Sequence, residues 1–237
     1  MAEYGRQRPL RTFTRWLRLP LHRRHARRRI ERANAQPTDL DTLVDASLDL
    51  GTRGLVKVRA RQIRSEIRAL AAAVAESKPR NIVEIGTFRG GTLWLWSHLA
   101  TRRVITCDLV QQPRMVELFL RMPPPGSSCR VFPIAGNSRD AAVRARVEDL
   151  LEGEPVDFLF IDGDHRLEGV RADFESYAPL VRPGGIIAFH DIAPRQPFPE
   201  NQVQHLWAEL RDRFDVEEFA DHPEQVGYGI GLVEKAE

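Results

Sequence analysis

The sequence predicts an α/β domain in which a mostly parallel sheet carries helices on both faces. From residue 79 onward, short apolar runs alternate with segments of helical periodicity, as expected of strand–helix units. The apolar runs lack polar alternation, which is typical of strands that are buried on both faces of a sheet. The chain has 237 residues and is 42% hydrophobic, which suits one α/β domain with appendages.

The pattern assigns the elements in chain order. Strands are predicted at 81–85, 104–107, 130–134, 156–161 and 186–189. Helices are predicted at 37–57, 58–78, 92–99, 113–121, 138–151, 167–180 and 202–214. The last two apolar runs, 216–219 and 228–233, are predicted to form an antiparallel hairpin. Parallel sheets of this kind bind ligands beyond the carboxyl ends of their strands, so the residues that follow each strand are the candidate site.

An Arg-rich extension, residues 1–36, precedes N-terminal helices in 37–78 and the main domain in 79–237. Residues 1–32 contain eleven Arg and two Glu, although the whole chain has a formal net charge of only +2. The basic character therefore belongs to the extension. Three interpretations stay open: a solvated extension, an anchor on anionic membrane lipid, and contact with nucleic acid. The last is least favoured because no nucleic-acid-binding module accompanies the charge.

The expected location is the cytoplasm, with a membrane-peripheral position as an option offered by the basic extension. Cys107 and Cys129 are the only cysteines, too few for a disulfide framework in a chain of this size. No run of 18 apolar residues predicts a membrane span, and the N-terminus lacks the apolar core of a secretory signal. The oligomeric state stays open, with a homo-oligomer as one option.

A glycine-rich turn follows the first predicted strand. Residues 84–92 read E-I-G-T-F-R-G-G-T and lead directly into a helix. Glycine lets the backbone approach a ligand closely, and the helix N-terminus offers free N–H groups. The G-x-x-x-G-G spacing differs from the G-x-G-x-x-G of pyrophosphate binders. The pattern favours a nucleoside-binding turn, and a plain tight turn is the alternative.

Polar residues after the next two strands extend this candidate site. Asp108 ends the second strand, where an acid can accept hydrogen bonds from both hydroxyls of a ribose. Asn137 and Ser138 follow the third strand. They suit either contact with an adenine edge or capping of the next helix, and the sequence does not decide between these roles.

A second cluster follows the fourth and fifth strands, in the segments F-I-D-G-D-H and A-F-H-D. Neighbouring strands lie about 4.8 Å apart, so Asp162, His190 and Asp191 are close enough in principle to share one metal ion. The combination of acids and imidazoles beside a nucleoside turn favours metal binding or catalysis over turn-forming roles.

With these motifs, the sequence resembles the class I S-adenosylmethionine-dependent methyltransferases over about residues 60–235. The resemblance rests on V-E-I-G-T-F-R-G-G-T, Asp108, F-I-D-G-D-H and P-G-G-I-I-A-F-H-D. Within the class, it is greatest for the metal-dependent sugar and natural-product O-methyltransferases, including cephalosporin-hydroxylase-like relatives. It implies a Rossmann-like, seven-stranded, mostly parallel sheet with an antiparallel last strand.

The resemblance also implies S-adenosylmethionine as cofactor and a role for each motif residue. The resemblance implies that Glu84, Gly86, Thr87 and Gly90 surround the methionine part of the cofactor and that Asp108 binds its ribose. Asn137, Ser138 and Asp162 are further candidate cofactor-binding residues. Implied metal ligands are Asp162, His190 and Asp191, with His165 as general base and Asp162 beside it as the second catalytic residue. Catechol-type members have an acid where His190 stands. The expected ion is Mg²⁺ or Mn²⁺, but its identity stays open because an imidazole ligand also suits Fe²⁺ or Zn²⁺.

The expected function is metal-assisted O-methylation of a hydroxyl on a sugar, glycan or small natural product. Two alternatives stay open. One is a nicotinamide-dependent dehydrogenase, in which Asp108 would also hold a ribose; the glycine spacing and the acidic second cluster argue against it. The other is a non-catalytic methyltransferase-like module that docks through its basic extension.

Overall fold

The computed structural model describes residues 18–36 and 39–236. In this part of the chain, one sheet contains seven strands: β1 (Asn81–Ile85), β2 (Arg103–Asp108), β3 (Arg130–Ala135), β4 (Val156–Ile161), β5 (Val181–His190), β6 (Val216–Phe219) and β7 (Ile230–Glu234). The α-helices are α1 (Leu19–Asn34), α2 (Leu40–Leu48), α3 (Arg64–Ser77), α4 (Gly91–Leu99), α5 (Pro113–Phe119), α6 (Ala141–Leu151), α7 (Leu167–Tyr177) and α8 (Val203–Arg211). Short 3₁₀ turns occur at Gly54–Val56 and Ala178–Leu180.

The strand order is β3-β2-β1-β4-β5-β7-β6. Strands β1 to β5 pair in parallel, whereas β7 pairs antiparallel with both β5 and β6. The predicted Rossmann-like fold class is therefore confirmed. The chain moves outward from β1 to β3 and then returns to β4 on the other side of β1. This reversal of strand order places the crevice where ligands bind in open α/β sheets between the ends of β1 and β4.

Two apolar clusters cover the two faces of the sheet. Helices α1 to α5 contribute to one cluster, and α6 to α8 contribute to the other. Trp96 packs edge-on against Phe158 and Phe160, with ring centroids 4.9 Å and 5.5 Å apart. Trp94 and Trp96 are both fully buried, so these tryptophans serve the core. Strands β1, β2 and β4 gain the two-sided burial that their apolar sequences predict, whereas β3 is only partly buried.

The second half of the Arg-rich extension belongs to the folded core. Helix α1 buries Ala26 and Ile30, and Arg29 Nε donates to the carbonyl oxygen of Leu50 at 2.9 Å. The expectation of a solvated extension is therefore wrong for residues 19–34, because one face of the helix is apolar enough to pack. Residues 1–17 lie outside the described residues. Within 18–36 and 39–236, no helix is both long and apolar enough to cross a bilayer.

The segment 58–62 is extended, although helical periodicity predicted a helix from residue 58. Val58 N donates to Thr52 Oγ1 at 2.6 Å, and Ala60 N donates to the carbonyl oxygen of Ser47 at 2.8 Å. A Cβ on Gly91 would overlap the backbone nitrogen of Ala60. The segment therefore crosses the N-terminus of α4 in contact with it, and α3 begins only at Arg64.

Strand β5 is also longer than predicted. It begins at Val181 and runs through Pro183, Gly184 and Gly185, although this Pro-Gly-Gly was expected to separate a helix from a strand starting at residue 186. A register shift between β4 and β5 at Val156/Phe158 accommodates the irregular start. The strand continues because proline and glycine are tolerated at bulges.

An acid lies in the middle of the sheet. Glu84 in β1 is fully buried, and Thr106 Oγ1 donates to its Oε2 at 2.6 Å. Its Oε1 has no hydrogen-bond partner in the described part of the chain. Burial raises the pKa of Glu84 to about 7, against the opposing effect of the hydrogen bond from Thr106.

We expect Glu84→Gln to change how stability depends on pH. The folded protein retains this proton at pH values where the unfolded chain, with an ordinary pKa of 4.5, has released it. Stability is therefore lost as the pH rises from about 4.5 to about 7, by roughly 3 kcal/mol in total. Urea unfolding at about pH 5 and about pH 8 should show a loss of stability that is smaller in the variant than in the wild type by about this amount. Glu217→Gln, at an exposed position on β6, is the control and should keep the wild-type behaviour. Identical pH dependence in the Glu84→Gln protein would contradict a buried, protonated Glu84.

Candidate functional site

A cavity of about 840 Å³ opens at the carboxyl ends of the central strands. Its volume lies in the range that holds a cofactor together with a small substrate. Segments following all five parallel strands contribute to its wall, as do residues 59–62 and the loops 196–201 and 227–228. The glycine-rich turn and the acid–imidazole residues thus face one cavity.

The turn after β1 is fixed by close backbone contact with the end of β4. Gly86 has φ +100°, and a Cβ there would overlap the carbonyl oxygen of Asp162. Gly86 N donates to Cys107 O and Asp162 N donates to Ile85 O, both at 2.8 Å. Only glycine permits this approach, which brings the turn beside Asp162.

Not every residue of the predicted cofactor site reaches the cavity wall. Gly86 and Thr87 line the cavity, together with Gly91 and Thr92. Glu84 lies behind the wall, where it is linked to Thr87 through Thr106; the two threonine hydroxyls are 2.5 Å apart. Gly90 also lies behind the wall, with φ +73° at the start of α4 and the ring of Phe119 against it.

Asp108, Asn137 and Ser138 line the opposite part of the same wall. Asp108 Oδ2 accepts a hydrogen bond from Phe88 N at 2.8 Å, so the acid orients the turn as well as facing the cavity. Helix α6 begins at Ala141, after an N-cap at Asp140, which excludes helix capping by Asn137 or Ser138. The Ser138 hydroxyl instead donates to Asp173 Oδ1 at 2.6 Å.

Two acids and two histidines meet where β4 and β5 end. His190 Nδ1 lies 3.2 Å from Asp162 Oδ1 and 3.4 Å from Asp191 Oδ1. His165 Nε2 lies 3.4 Å from Asp162 Oδ1, and its Nδ1 lies 3.2 Å from Asp191 Oδ2. Each imidazole therefore touches both carboxylates. We call Asp162, His165, His190 and Asp191 the acid–imidazole cluster.

Mutual attraction within the cluster outweighs burial. Burial alone would lower the pKa of His190, but Asp162 and Asp191 raise it to about 9. Burial alone would raise the pKa of Asp162, but His190 and His165 hold it well below the usual Asp range. The hydrogen bond to Asp162 raises the pKa of His165 above its ordinary value. The cluster therefore keeps Asp162 anionic and makes both imidazoles stronger bases than a free histidine.

Three further residues hold the carboxylates in place, and the sequence analysis missed them. Gln62 Nε2 donates to Asp162 Oδ2 at 3.0 Å. Asn201 Nδ2 donates to Asp191 Oδ2 at 2.6 Å, and Tyr228 N donates to Asp191 Oδ1 at 3.2 Å. All three come from segments without a recognisable motif. The one available signal was that residues 192–201 directly follow β5 in the sequence.

The two loops behind Asn201 and Tyr228 support each other. Arg195 and Val226 form an isolated parallel bridge, and Gly227 N donates to Arg195 O at 2.6 Å. Gln202 N donates to the carbonyl oxygen of His165 at 2.7 Å. Together the loops form one wall of the cavity beside the acid–imidazole cluster, and they carry the exposed rings of Phe198 and Tyr228.

The donor atoms of the cluster suit a divalent cation in type and spacing. Cis ligands at about 2.1 Å from an octahedral ion lie about 3.0 Å apart, and ligands of a tetrahedral ion lie slightly farther apart. The contacts of His190 with Asp162 and Asp191 at 3.2–3.4 Å are similar. However, no group of three or more His, Cys, Asp or Glu in residues 18–36 and 39–236 is arranged as a ready-made metal site. The metal-ligand roles of Asp162, His190 and Asp191 therefore stay a prediction.

Comparisons with known proteins agree with this geometry. Residues 83–192 match a family model described as a methyltransferase domain. An uncharacterized protein of Acanthamoeba polyphaga mimivirus is 35% identical over 114 residues, which are 46% of this chain and 50% of the viral protein. The match thus spans half the length of that relative.

Solved structures share the fold at low sequence identity. The O-methyltransferase TomG from Streptomyces achromogenes, involved in tomaymycin synthesis and solved with SAM, aligns with a TM-score of 0.57 and 18% identity over 85% of this chain and 92% of its own. The MycE methyltransferase of the mycinamycin biosynthetic pathway was solved in complex with Mg, SAH and mycinamycin VI. It aligns with a TM-score of 0.55 and 20% identity over 85% of this chain and 56% of its own.

The family match covers the strands and turns that build the cavity, and the structural alignments cover most of the sheet and helices around them. The class predicted from the glycine-rich turn and the two polar strand ends is thereby confirmed. Residues 83–192 therefore match a methyltransferase domain by sequence, and the sheet that contains them has the fold of solved O-methyltransferases that bind SAM or SAH.

Proposed function

We propose that this protein transfers a methyl group from S-adenosylmethionine to a hydroxyl oxygen of a sugar, glycan or small natural product. One observation carries the proposal. The nucleoside side of the site, at Gly86 and Asp108, and the acid–imidazole cluster line one cavity of about 840 Å³. Cofactor and acceptor therefore have room to meet. The methyltransferase family match gives no support to the dehydrogenase alternative.

The residues present fit the cofactor. The close approach at Gly86 leaves backbone, with no side chain, facing the cavity, and Asp108 provides a carboxylate at the end of β2 for a ribose. Asn137 lines the wall after β3, where its Oδ1 accepts a hydrogen bond from Arg139 N at 3.1 Å. When bound, S-adenosylmethionine supplies a methyl group already activated by the sulfonium, so the remaining tasks of the chain are orientation and proton removal.

His165 is the residue best placed to receive the acceptor's proton. As the acceptor oxygen forms its bond to the methyl carbon and the carbon–sulfur bond breaks, the hydroxyl proton must leave. The imidazole of His165 lies on the cavity wall between Asp162 and Asp191. Both carboxylates stabilise the imidazolium that forms, which is the role of an orienting acid beside a general base.

A divalent metal at Asp162, His190 and Asp191 is the metal-assisted form of this proposal. Such an ion would lower the pKa of the acceptor hydroxyl and orient its oxygen. The support is the spacing of the donor atoms and the presence of Mg in the MycE complexes. Asn201 and Gln62 would hold the two carboxylates from behind, as outer partners of metal ligands commonly do.

The proposed class of acceptor is based on the residues of the cavity wall opposite the cofactor side. Phe198 and Tyr228 present exposed rings there, beside the carboxylates of the cluster. Exposed rings next to polar groups suit an acceptor that has both apolar faces and hydroxyls, as sugars and natural products do. MycE, solved with a mycinamycin, is an example of such an acceptor among the structural neighbours.

We expect His165→Gln to lower kcat by about 10²–10⁴-fold with little change in cofactor affinity, because the side chain takes the proton without holding the cofactor. Methyl transfer to a panel of glycosides, catechols and carboxylates measures kcat, and calorimetric titration with SAH measures affinity. His205→Gln, which alters an exposed histidine of α8, is the matched control and should behave as the wild type. Loss of SAH binding in the His165→Gln protein, at unchanged turnover per bound cofactor, would show that the base assignment is wrong.

Removal of metal should lower methyl transfer at least about tenfold, and added Mg²⁺ or Mn²⁺ should restore it. Asp191→Asn should give low activity that neither ion restores, because one of the two anionic ligands is lost. Asp215→Asn, at an exposed acid, is the control. Assays of acceptor methylation with chelator and with each ion test this expectation. Undiminished activity in chelator would rule out metal assistance and leave the proposal for His165 in place.

We propose a second role for helix α1, contact with an anionic membrane surface. Arg24, Arg28 and Arg32 follow one another at four-residue spacing and are exposed. None of them has an ion pair within the described residues, whereas Arg23 and Arg27 pair with Glu117. Leu21 is 64% exposed near the start of the same helix. Basic side chains beside an exposed apolar one are typical of helices that lie on anionic lipid.

The triple variant Arg24→Gln, Arg28→Gln, Arg32→Gln should bind vesicles containing phosphatidylserine roughly 100-fold more weakly than the wild type. Each arginine near such a surface contributes about 1 kcal/mol. A triple variant with the same charge change at exposed sites elsewhere, Arg53→Gln, Arg130→Gln and Arg146→Gln, is the control for net charge. Sedimentation with vesicles measures binding. Equal losses in both variants, or binding of a DNA duplex without binding of vesicles, would contradict membrane docking by α1.

A further inference from the structure

The extended segment 58–62, which precedes α3, forms an edge of the cavity, and the proposed chemistry uses only its contact from Gln62 to Asp162. Residues Arg59 to Gln62 all line the cavity. Backbone hydrogen bonds from Val58 to Thr52 and from Ala60 to Ser47 fix the segment. It passes directly over Gly91, at the N-terminus of α4. The segment is therefore a rigid part of the wall.

Two polar side-chain atoms of this segment are buried without a partner. They are Arg59 Nε, a donor, and Gln62 Oε1, an acceptor. The amide orientation of Gln62 is fixed because its Nε2 donates to Asp162 Oδ2 at 3.0 Å; the reversed amide would place two acceptors together. Arg59 forms no ion pair with any described residue, whereas the neighbouring guanidinium of Arg61 lies 5.1 Å from the ring centroid of Phe88.

Unpartnered buried polar atoms are unfavourable, and on a cavity wall they are satisfied by water or by a bound ligand. Here the two atoms have opposite hydrogen-bonding character and lie three positions apart on one fixed segment. An α-amino acid has the complementary pair, a carboxylate that accepts and an ammonium that donates. Arginine is also the side chain best suited to a carboxylate.

The position along the sheet agrees with this pairing. Asp108 ends β2, β1 lies next to it, and Gln62 contacts Asp162 at the end of β4 on the far side of β1. A cofactor with its ribose at Asp108 that crosses the turn at Gly86 brings its other end toward Gln62. In S-adenosylmethionine that other end is the amino acid.

The geometry points to residues 59–62 as the binding site for the amino-acid end of the cofactor. Arg59 binds the carboxylate, and Gln62 Oε1 accepts from the ammonium while its Nε2 holds Asp162. This inference rests on the proposed cofactor and adds two residues that its sequence motifs do not contain. Gln62 thereby connects the cofactor to the acid–imidazole cluster.

Calorimetric titration of the full chain with three ligands tests the assignment. The ligands are S-adenosylhomocysteine, its decarboxylated analogue, which retains the amine, and 5′-methylthioadenosine, which lacks the whole amino-acid end. Arg59→Met should weaken S-adenosylhomocysteine roughly tenfold to hundredfold and leave the other two ligands within about twofold of wild type. Gln62→Met should weaken both amine-containing ligands and spare 5′-methylthioadenosine. Arg53→Met, at an exposed arginine of the preceding loop, is the matched control and should change none of the three.

The wild type supplies an internal measure that does not depend on the folding of any variant. It should bind S-adenosylhomocysteine at least about tenfold more tightly than 5′-methylthioadenosine. Equal affinity for these two ligands, or an Arg59→Met loss that is the same for all three, would overturn the inference while the proposed function stands. Wild-type protein that binds none of the ligands would overturn both together.

Discussion

The close approach of two strand ends is the constraint on which the site depends. At the end of β1, Gly86 lies so near the backbone of Asp162 that no side chain fits between them. The Asp162 N–H is bonded to Ile85 O as the parallel pairing of β1 with β4 continues past the strands. This places the first residue of the acid–imidazole cluster beside the glycine-rich turn. A larger residue at position 86 would move the two halves of the site apart.

Charge balance explains how the cluster can exist at low exposure. Two carboxylates confined at one sheet edge would repel each other and be costly to bury. His165 and His190 each contact both of them, so groups able to take up positive charge lie between the two acids. A divalent cation would meet the same requirement. The cluster is thus suited to hold positive charge, whether as protons or as a metal, and this follows from two acids with limited access to water.

The sequence was most informative where structure is local. The bounds of β1 and β4 agree with prediction because uninterrupted apolar runs determine two-sided burial, and the polar residues that end them were recognised from their position alone. Residues 58–62 were predicted to be helical from their periodicity, and this prediction was wrong. Their extended conformation depends on contacts with Ser47, Thr52 and Gly91, which the local pattern does not reveal. Tertiary contacts of this kind override periodicity. The packing of α1 was missed for the same reason, since its apolar positions are few and its partners lie beyond residue 40.

The two sides of the cavity have different structural origins, and this bears on specificity. The proposed cofactor side is built from strand ends and from residues 58–62, which pack against the start of α4. The sheet therefore determines its geometry. The acceptor side is built from two loops joined at Arg195 and Val226, which contact the sheet mainly through Asp191. Buried His190 Nε2 and Gln196 Oε1 have no partner within the described residues on that side. Loops vary more readily than sheets, so under the proposed function we expect residues 192–201 and 220–229 to select the acceptor without a change in how the cofactor is held.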